Sequence, residues 1–184
     1  MSVRIIEDCL NGRRTVLDDP VKSGRNGLIG LEQRIEVNSP LAVAIIMLGV
    51  NDFQSGHNFT ASDTARGLTK LVAAIRRAPI EPGMPVPRVL LIAPPPLQAS
   101  IGPLASKFID AEAKSAGLAE ARRDVAQEVR CEFFDAGLVT STSAVDGVHL
   151  DESQHRALGI ALAHVVAQQF ANASIPERTF YGDL

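Results

Sequence analysis

Residues 43–56, VAIIMLGVNDFQSG, decide how this chain reads. The stretch opens as a run of large apolar residues and closes on a turn carrying Gly49, Asn51 and Asp52. A run with almost no polar alternation is expected of a strand covered on both faces. The amide and carboxylate at its carboxyl end have two readings. They are an Asx-type strand stop, or they are part of a catalytic site.

Three more runs share the pattern, each followed by turn residues: VRIIEDCL (3–10), PRVLLIAPPP (87–96) and CEFFDAG (131–137). Helical periodicities alternate with them. Ala65, Leu68, Leu71, Val72 and Ile75 line one face of a helix that Pro79 ends. Leu118, Ala121, Val125 and Val129 mark a second helix, and Leu158, Leu162, Val165, Val166 and Phe170 a third. A weaker helix is expected over 27–36. Strands alternating with helices predict an α/β fold, three layers α/β/α around a mostly parallel sheet. In such sheets ligands meet the loops at the carboxyl ends of the strands, which is where the polar clusters of this chain fall.

At 184 residues the chain is long enough for one substantial core, and one domain is expected over 1–170 with a tail at 171–184. Hydrophobic residues make up 46%, which excludes a disordered segment. A net charge of −3 with scattered basic residues argues against a nucleic-acid partner. No apolar run approaches the ~20 residues of a membrane span, and MSVRIIEDCL has no signal-peptide pattern. Cys9 and Cys131 lie in or beside apolar runs and read as reduced, packed thiols, so the expected compartment is the cytoplasm.

The strongest local cluster is AVDGVHLDESQHRALG, in which Asp146 and His149 flank Gly147 and Val148. A tight turn there would hold the carboxylate against one imidazole nitrogen and leave the other facing outward as a base. By itself this spacing is also that of a turn capping the next helix. Asn51 adds a side-chain amide at a strand end, and Gly12, in EDCLNGRRT, offers a backbone N–H at close approach. One amide and one backbone N–H are what a developing oxyanion requires. A metal reading of His149, His155 and Asp146 is disfavoured, because the two histidines do not share one helix face.

NGRRT, IIMLGVNDF and VDGVHL resemble, in order and spacing, the second, third and fifth sequence blocks of the SGNH (GDSL-type) hydrolases. The fuller pattern, up to about Gln168, resembles the arylesterase/acyltransferase branch. The resemblance implies a flavodoxin-like sheet and hydrolysis of small carboxylic esters by a serine mechanism. It implies Asp146 and His149 as acid and base, Asn51 and Gly12 as oxyanion donors, and Asp52 as the asparagine's companion. It also implies acyl transfer to alcohols, a homo-oligomer, and no metal or organic cofactor.

The family's first block, which carries the nucleophilic serine on a Gly-Asp-Ser-Leu turn, has no counterpart here, and Val3 already falls in the family's second strand. Ser2, Ser55, Ser100, Ser141 and Ser143 lack a nucleophile-turn context. The expectation is therefore an N-terminally incomplete hydrolase domain with its first strand missing; the competing reading is a non-catalytic module that binds a ligand or a complementing partner. In the family's strand order 2-1-3-4-5, losing strand 1 opens a slot of roughly 10 Å beside the 42–49 run. Either the 3–10 strand moves over to pair with the 42–49 run, or a segment from elsewhere fills the slot, or the sequence is an incomplete record of a longer protein. His57, His155, His164, Phe53 and Pro94–Pro96 read as loop, surface or packing residues.

Overall fold

The computed structural model describes residues 4–170, with the side chains of the last two helical residues excepted. In chain order the helices and strands are α1 (Leu31–Asn38), β1 (Val43–Ile46), α2 (Ala61–Arg77), β2 (Arg88–Ala93), α3 (Ala111–Lys114), α4 (Leu118–Glu128), β3 (Glu132–Asp135) and α5 (Glu152–Phe170). The strands form one parallel sheet in the order β1-β2-β3, with Ile45 opposite Leu90 and Ile92 opposite Phe134.

β2 explains the layering. Val89 and Leu91 face a core shared with Ile35 of α1, Leu68, Leu71, Val72 and Ile75 of α2, and Val125 and Ala126 of α4. Leu90 and Ile92 face the other way, onto Leu158 of α5. A strand buried on both sides has no polar face to show, hence its unbroken apolar sequence. α2 begins with a reciprocal capping box: the Asp63 N–H donates to Thr60 Oγ1 at 3.3 Å and the Thr60 N–H to Asp63 Oδ2 at 3.0 Å. It stops at Arg77, ahead of Pro79, whose ring disfavours a helical residue before it.

The α/β expectation holds, and one strand is corrected. Residues 4–10 form no ladder, and Ile5 is 80% exposed. A strand exists only against a hydrogen-bonding neighbour, and among the described residues β1 has one on a single edge, β2. Beyond this run the chain is tied by an isolated parallel bridge between Arg14 and Asn26, outside the sheet, and by Thr15, which bonds Asp52 in the turn after β1. β1–β2–β3 thus correspond to the last three strands of the expected order. Cys9 is exposed for the same reason, not packed as its apolar neighbours suggested, while Cys131 is half-buried. The tail at 171–184, the Phe170 side chain and Ser2 lie outside the described residues.

Candidate active site

Beyond β1 the chain enters a single 3₁₀ turn, Val50–Phe53, which buries Asp52 and Phe53 and leaves Asn51 half-exposed. Phe53 is fully buried, so its role is packing. Asp52 is fully buried as well and accepts from the Thr15 N–H at 2.9 Å and the Thr15 hydroxyl at 2.5 Å. Asn51 is half-exposed: its Nδ2 donates to the Arg13 carbonyl at 3.2 Å, and its Oδ1 accepts from Gln54 Nε2 at 2.8 Å. The loop containing Gly12 is therefore brought against Asn51. Gly12 sits in the turn closed by the Arg13 N–H on the Leu10 carbonyl, with φ +78°, and its own N–H has no partner among the described residues.

The second pair is as close as its spacing suggested. His149 Nδ1 lies 2.8 Å from Asp146 Oδ2, while Asp146 Oδ1 accepts the N–H groups of Val148 at 2.8 Å and His149 at 2.9 Å. Gly147 makes this turn possible: its φ is +77°, and a Cβ there would lie 2.6 Å from the Ala99 carbonyl. Burial by itself would raise the Asp146 carboxyl, but the two N–H groups and the imidazole outweigh it and hold the group below the usual carboxylate value. With Nδ1 bound to a carboxylate it carries the proton, leaving Nε2 as an acceptor. The ring is 63% exposed, and Nε2 makes no hydrogen bond among the described residues.

The loop is pinned at both ends. The Gln98 N–H donates to the Gly147 carbonyl at 3.0 Å, and the Ser143 N–H to the His149 carbonyl at 2.7 Å. Gln154 reaches back from the first turn of α5 to accept the Asp151 N–H at 2.6 Å. The two halves of the site meet in the core beneath them. Phe53, two residues after Asn51, and Val148, one before His149, belong to one buried cluster with Leu97, Phe108 and Leu118. Both loops thus rest on the same floor, at the carboxyl end of the sheet.

A family model for the GDSL-like lipase/acylhydrolase family matches residues 6–157. The chain belongs to that family. Among solved structures, the inhibitor-bound aryl esterase of M. smegmatis is 36% identical with a TM-score of 0.85, over 90% of this chain and 78% of that one. A carbohydrate acetylesterase from Sinorhizobium meliloti is 37% identical, again with a TM-score of 0.85 and coverages of 90% and 78%. No curated protein matches the chain.

In this GDSL-like chain four of the five serines considered above are engaged elsewhere. Ser143 Oγ donates to Asp151 Oδ2 at 2.7 Å, Ser55 Oγ to the Ser106 carbonyl at 2.8 Å and Ser100 Oγ to the Phe108 carbonyl at 3.1 Å, while Ser141 Oγ accepts from Gln154 Nε2 at 3.5 Å. None of these four hydroxyls is bonded to His149. His57 is a half-buried loop residue, and His155 and His164 lie on the exposed side of α5.

Arg122 is a residue the sequence reading missed. It is fully buried and donates to the carbonyls of Ile92, at 2.6 Å, and Leu48, at the exits of β2 and β1. Burial lowers its pKa to about 10, offset in part by the Asp52 charge. Asp52 is moved the opposite way: burial pushes its carboxyl up, against the pull of Thr15 and Arg122. The signal was present, since Arg122 falls four residues after Leu118 on the apolar stripe of α4, where a charge has no reason to sit unless it is paired.

Proposed function

We propose that this chain is a carboxylic ester hydrolase acting on short-chain acyl esters of aryl or alkyl alcohols. The observation that carries the reading is the 2.8 Å contact between Asp146 and His149 Nδ1, which leaves Nε2 unpartnered on a loop sharing its core with the Asn51 turn. In this reading His149 takes the proton of the attacking nucleophile through Nε2, and Asp146 fixes the tautomer and stabilises the imidazolium that forms. The ester carbonyl oxygen becomes negative as it is attacked. The second N–H of the Asn51 amide and the Gly12 N–H receive it. The names of the two solved relatives, an aryl esterase and a carbohydrate acetylesterase, support a small acyl group as substrate.

The family mechanism uses a serine nucleophile, and the four hydroxyls described above do not meet Nε2. With those residues alone His149 activates water, and turnover is reduced to what base and oxyanion donors supply, about 10³–10⁴-fold over the uncatalysed reaction. That same observation favours a second reading, a ligand-binding module without turnover. Hydrolysis of p-nitrophenyl acetate separates them. Turnover abolished by His149→Ala but resistant to a serine-directed phosphonate supports water activation. Inactivation by the phosphonate supports a serine nucleophile. Absence of turnover, with binding of the ester or its product retained, supports the module. By resemblance the reading extends to acyl transfer onto alcohols, a homo-oligomer and a cytoplasmic location. No helix of the described residues is long and apolar enough to cross a membrane.

A further inference from the structure

An oxyanion donor made from a carboxamide has a built-in ambiguity. Rotating the Asn51 side chain by half a turn exchanges C=O for NH₂ at almost no change in shape, and the rotated form would present a repelling oxygen to the reacting centre. Something in the fold must choose between them.

The choice is made by a one-way chain of donors. Arg14 is 3% exposed and held by Asp19, whose Oδ2 lies 3.0 Å from Arg14 Nη2. The same Nη2 donates to Gln54 Oε1 at 2.8 Å. A guanidinium has no acceptor, so Gln54, itself 6% exposed, must turn its oxygen to Arg14 and its NH₂ the other way. That NH₂ meets Asn51 Oδ1 at 2.8 Å. Asn51 must then direct its own NH₂ away from Gln54, where the Arg13 carbonyl takes one N–H at 3.2 Å and the other remains for a ligand. Each orientation follows from the one before it, starting from a group that can only donate. The Arg14–Gln54 link is buried and charge-assisted, and through the part-buried Gln54–Asn51 bond it polarises the Asn51 amide in the direction that improves its remaining N–H as a donor.

We propose that Gln54, held by Arg14, is a positioning residue that sets the orientation of the Asn51 carboxamide. The inference rests on the reading of Asn51 as an oxyanion donor and extends it to a residue that touches no substrate. The test is Gln54→Glu, which keeps the length and still accepts from Arg14 but has no hydrogen for Asn51 Oδ1, so that the Asn51 amide rotates. With p-nitrophenyl acetate the expected result is a fall in kcat of about 10²–10³-fold, equal to that of Asn51→Ala, with KM nearly unchanged. In the Asn51→Ala background Gln54→Glu should have no further effect. Wild-type kcat in Gln54→Glu, or multiplying losses in the double variant, would overturn the proposal. If Asn51→Ala itself keeps full kcat, the oxyanion reading fails, and the relay is then judged by a measurement that needs no turnover. In ¹H–¹⁵N spectra the Asn51 side-chain amide pair should shift and exchange faster with solvent in Gln54→Glu; an unmoved pair overturns the relay. Should Gln54→Glu fail to fold, Gln54→Met, which has no hydrogen to donate to Asn51 Oδ1, is read by the same spectrum with the same two outcomes.

Discussion

Asp52 receives two hydrogen bonds from one residue, Thr15, 37 positions earlier, through the backbone N–H at 2.9 Å and the hydroxyl at 2.5 Å. Together with Asn51 Nδ2 on the Arg13 carbonyl and Arg14 Nη2 on Gln54 Oε1, this tie holds the Gly12 loop against the Asn51 turn, because the segment before it joins no strand. Thr15→Val keeps the shape and the backbone bond but removes the hydroxyl that donates to the buried Asp52 Oδ2. Stability should fall by about 1–3 kcal/mol, measured by urea denaturation. Activity should fall further than stability explains, since the Gly12 N–H and the Asn51 amide lose their common anchor. A variant as active and as stable as wild type would show that the tie does not organise the site.

Gly147→Ala should be the most damaging single-methyl change in the Asp146–His149 turn. The new Cβ would lie 2.6 Å from the Ala99 carbonyl at a φ of +77°. Both penalties act together, so a loss above about 1 kcal/mol is expected. Thermal unfolding measures it, and loss of the downfield Nδ1 proton signal of His149 would report the opened turn.

Asp146→Asn has a pH signature. The folded carboxyl lies below its ordinary 3.8, so the charged form favours the fold. Its contribution is fully present above the unfolded value, near pH 4, and is lost as the pH falls through the lower folded value. Denaturation curves of wild type and variant should therefore differ most above about pH 4 and converge in stronger acid. A gap that widens on acidification would contradict the assignment.

Arg122→Leu removes two donors from the carbonyls of Leu48 and Ile92 and leaves the buried Asp52 charge without its counterweight. A loss of about 3 kcal/mol is expected. For a domain of this size that is roughly 6–12 °C in Tm. An unchanged Tm would mean that the cation is dispensable to the sheet exits.

The alternation of apolar runs with helical stripes was legible along the chain because strands and helices write their burial as local period, and β2 or α2 needs no distant partner to be recognised. The turn from Asp146 to His149 was legible for the same reason, its geometry being confined to four consecutive residues. Residues 4–10 show the limit of local pattern. They carry the residues of a strand, but pairing is a property of two segments, and their side of β1 holds no neighbour among the described residues. Arg122, Thr15 and Gln54 show the other limit. Each acts on a group distant in sequence or through a third residue, and only the folded packing decides whether a buried polar atom finds its partner. By itself the sequence determined the layered α/β architecture and offered the residue types of the candidate site. Tertiary structure alone decided which loops share a floor, how the Asn51 amide is turned and what balances Asp52, because hydrogen-bond direction and desolvation depend on neighbours in space and not in sequence.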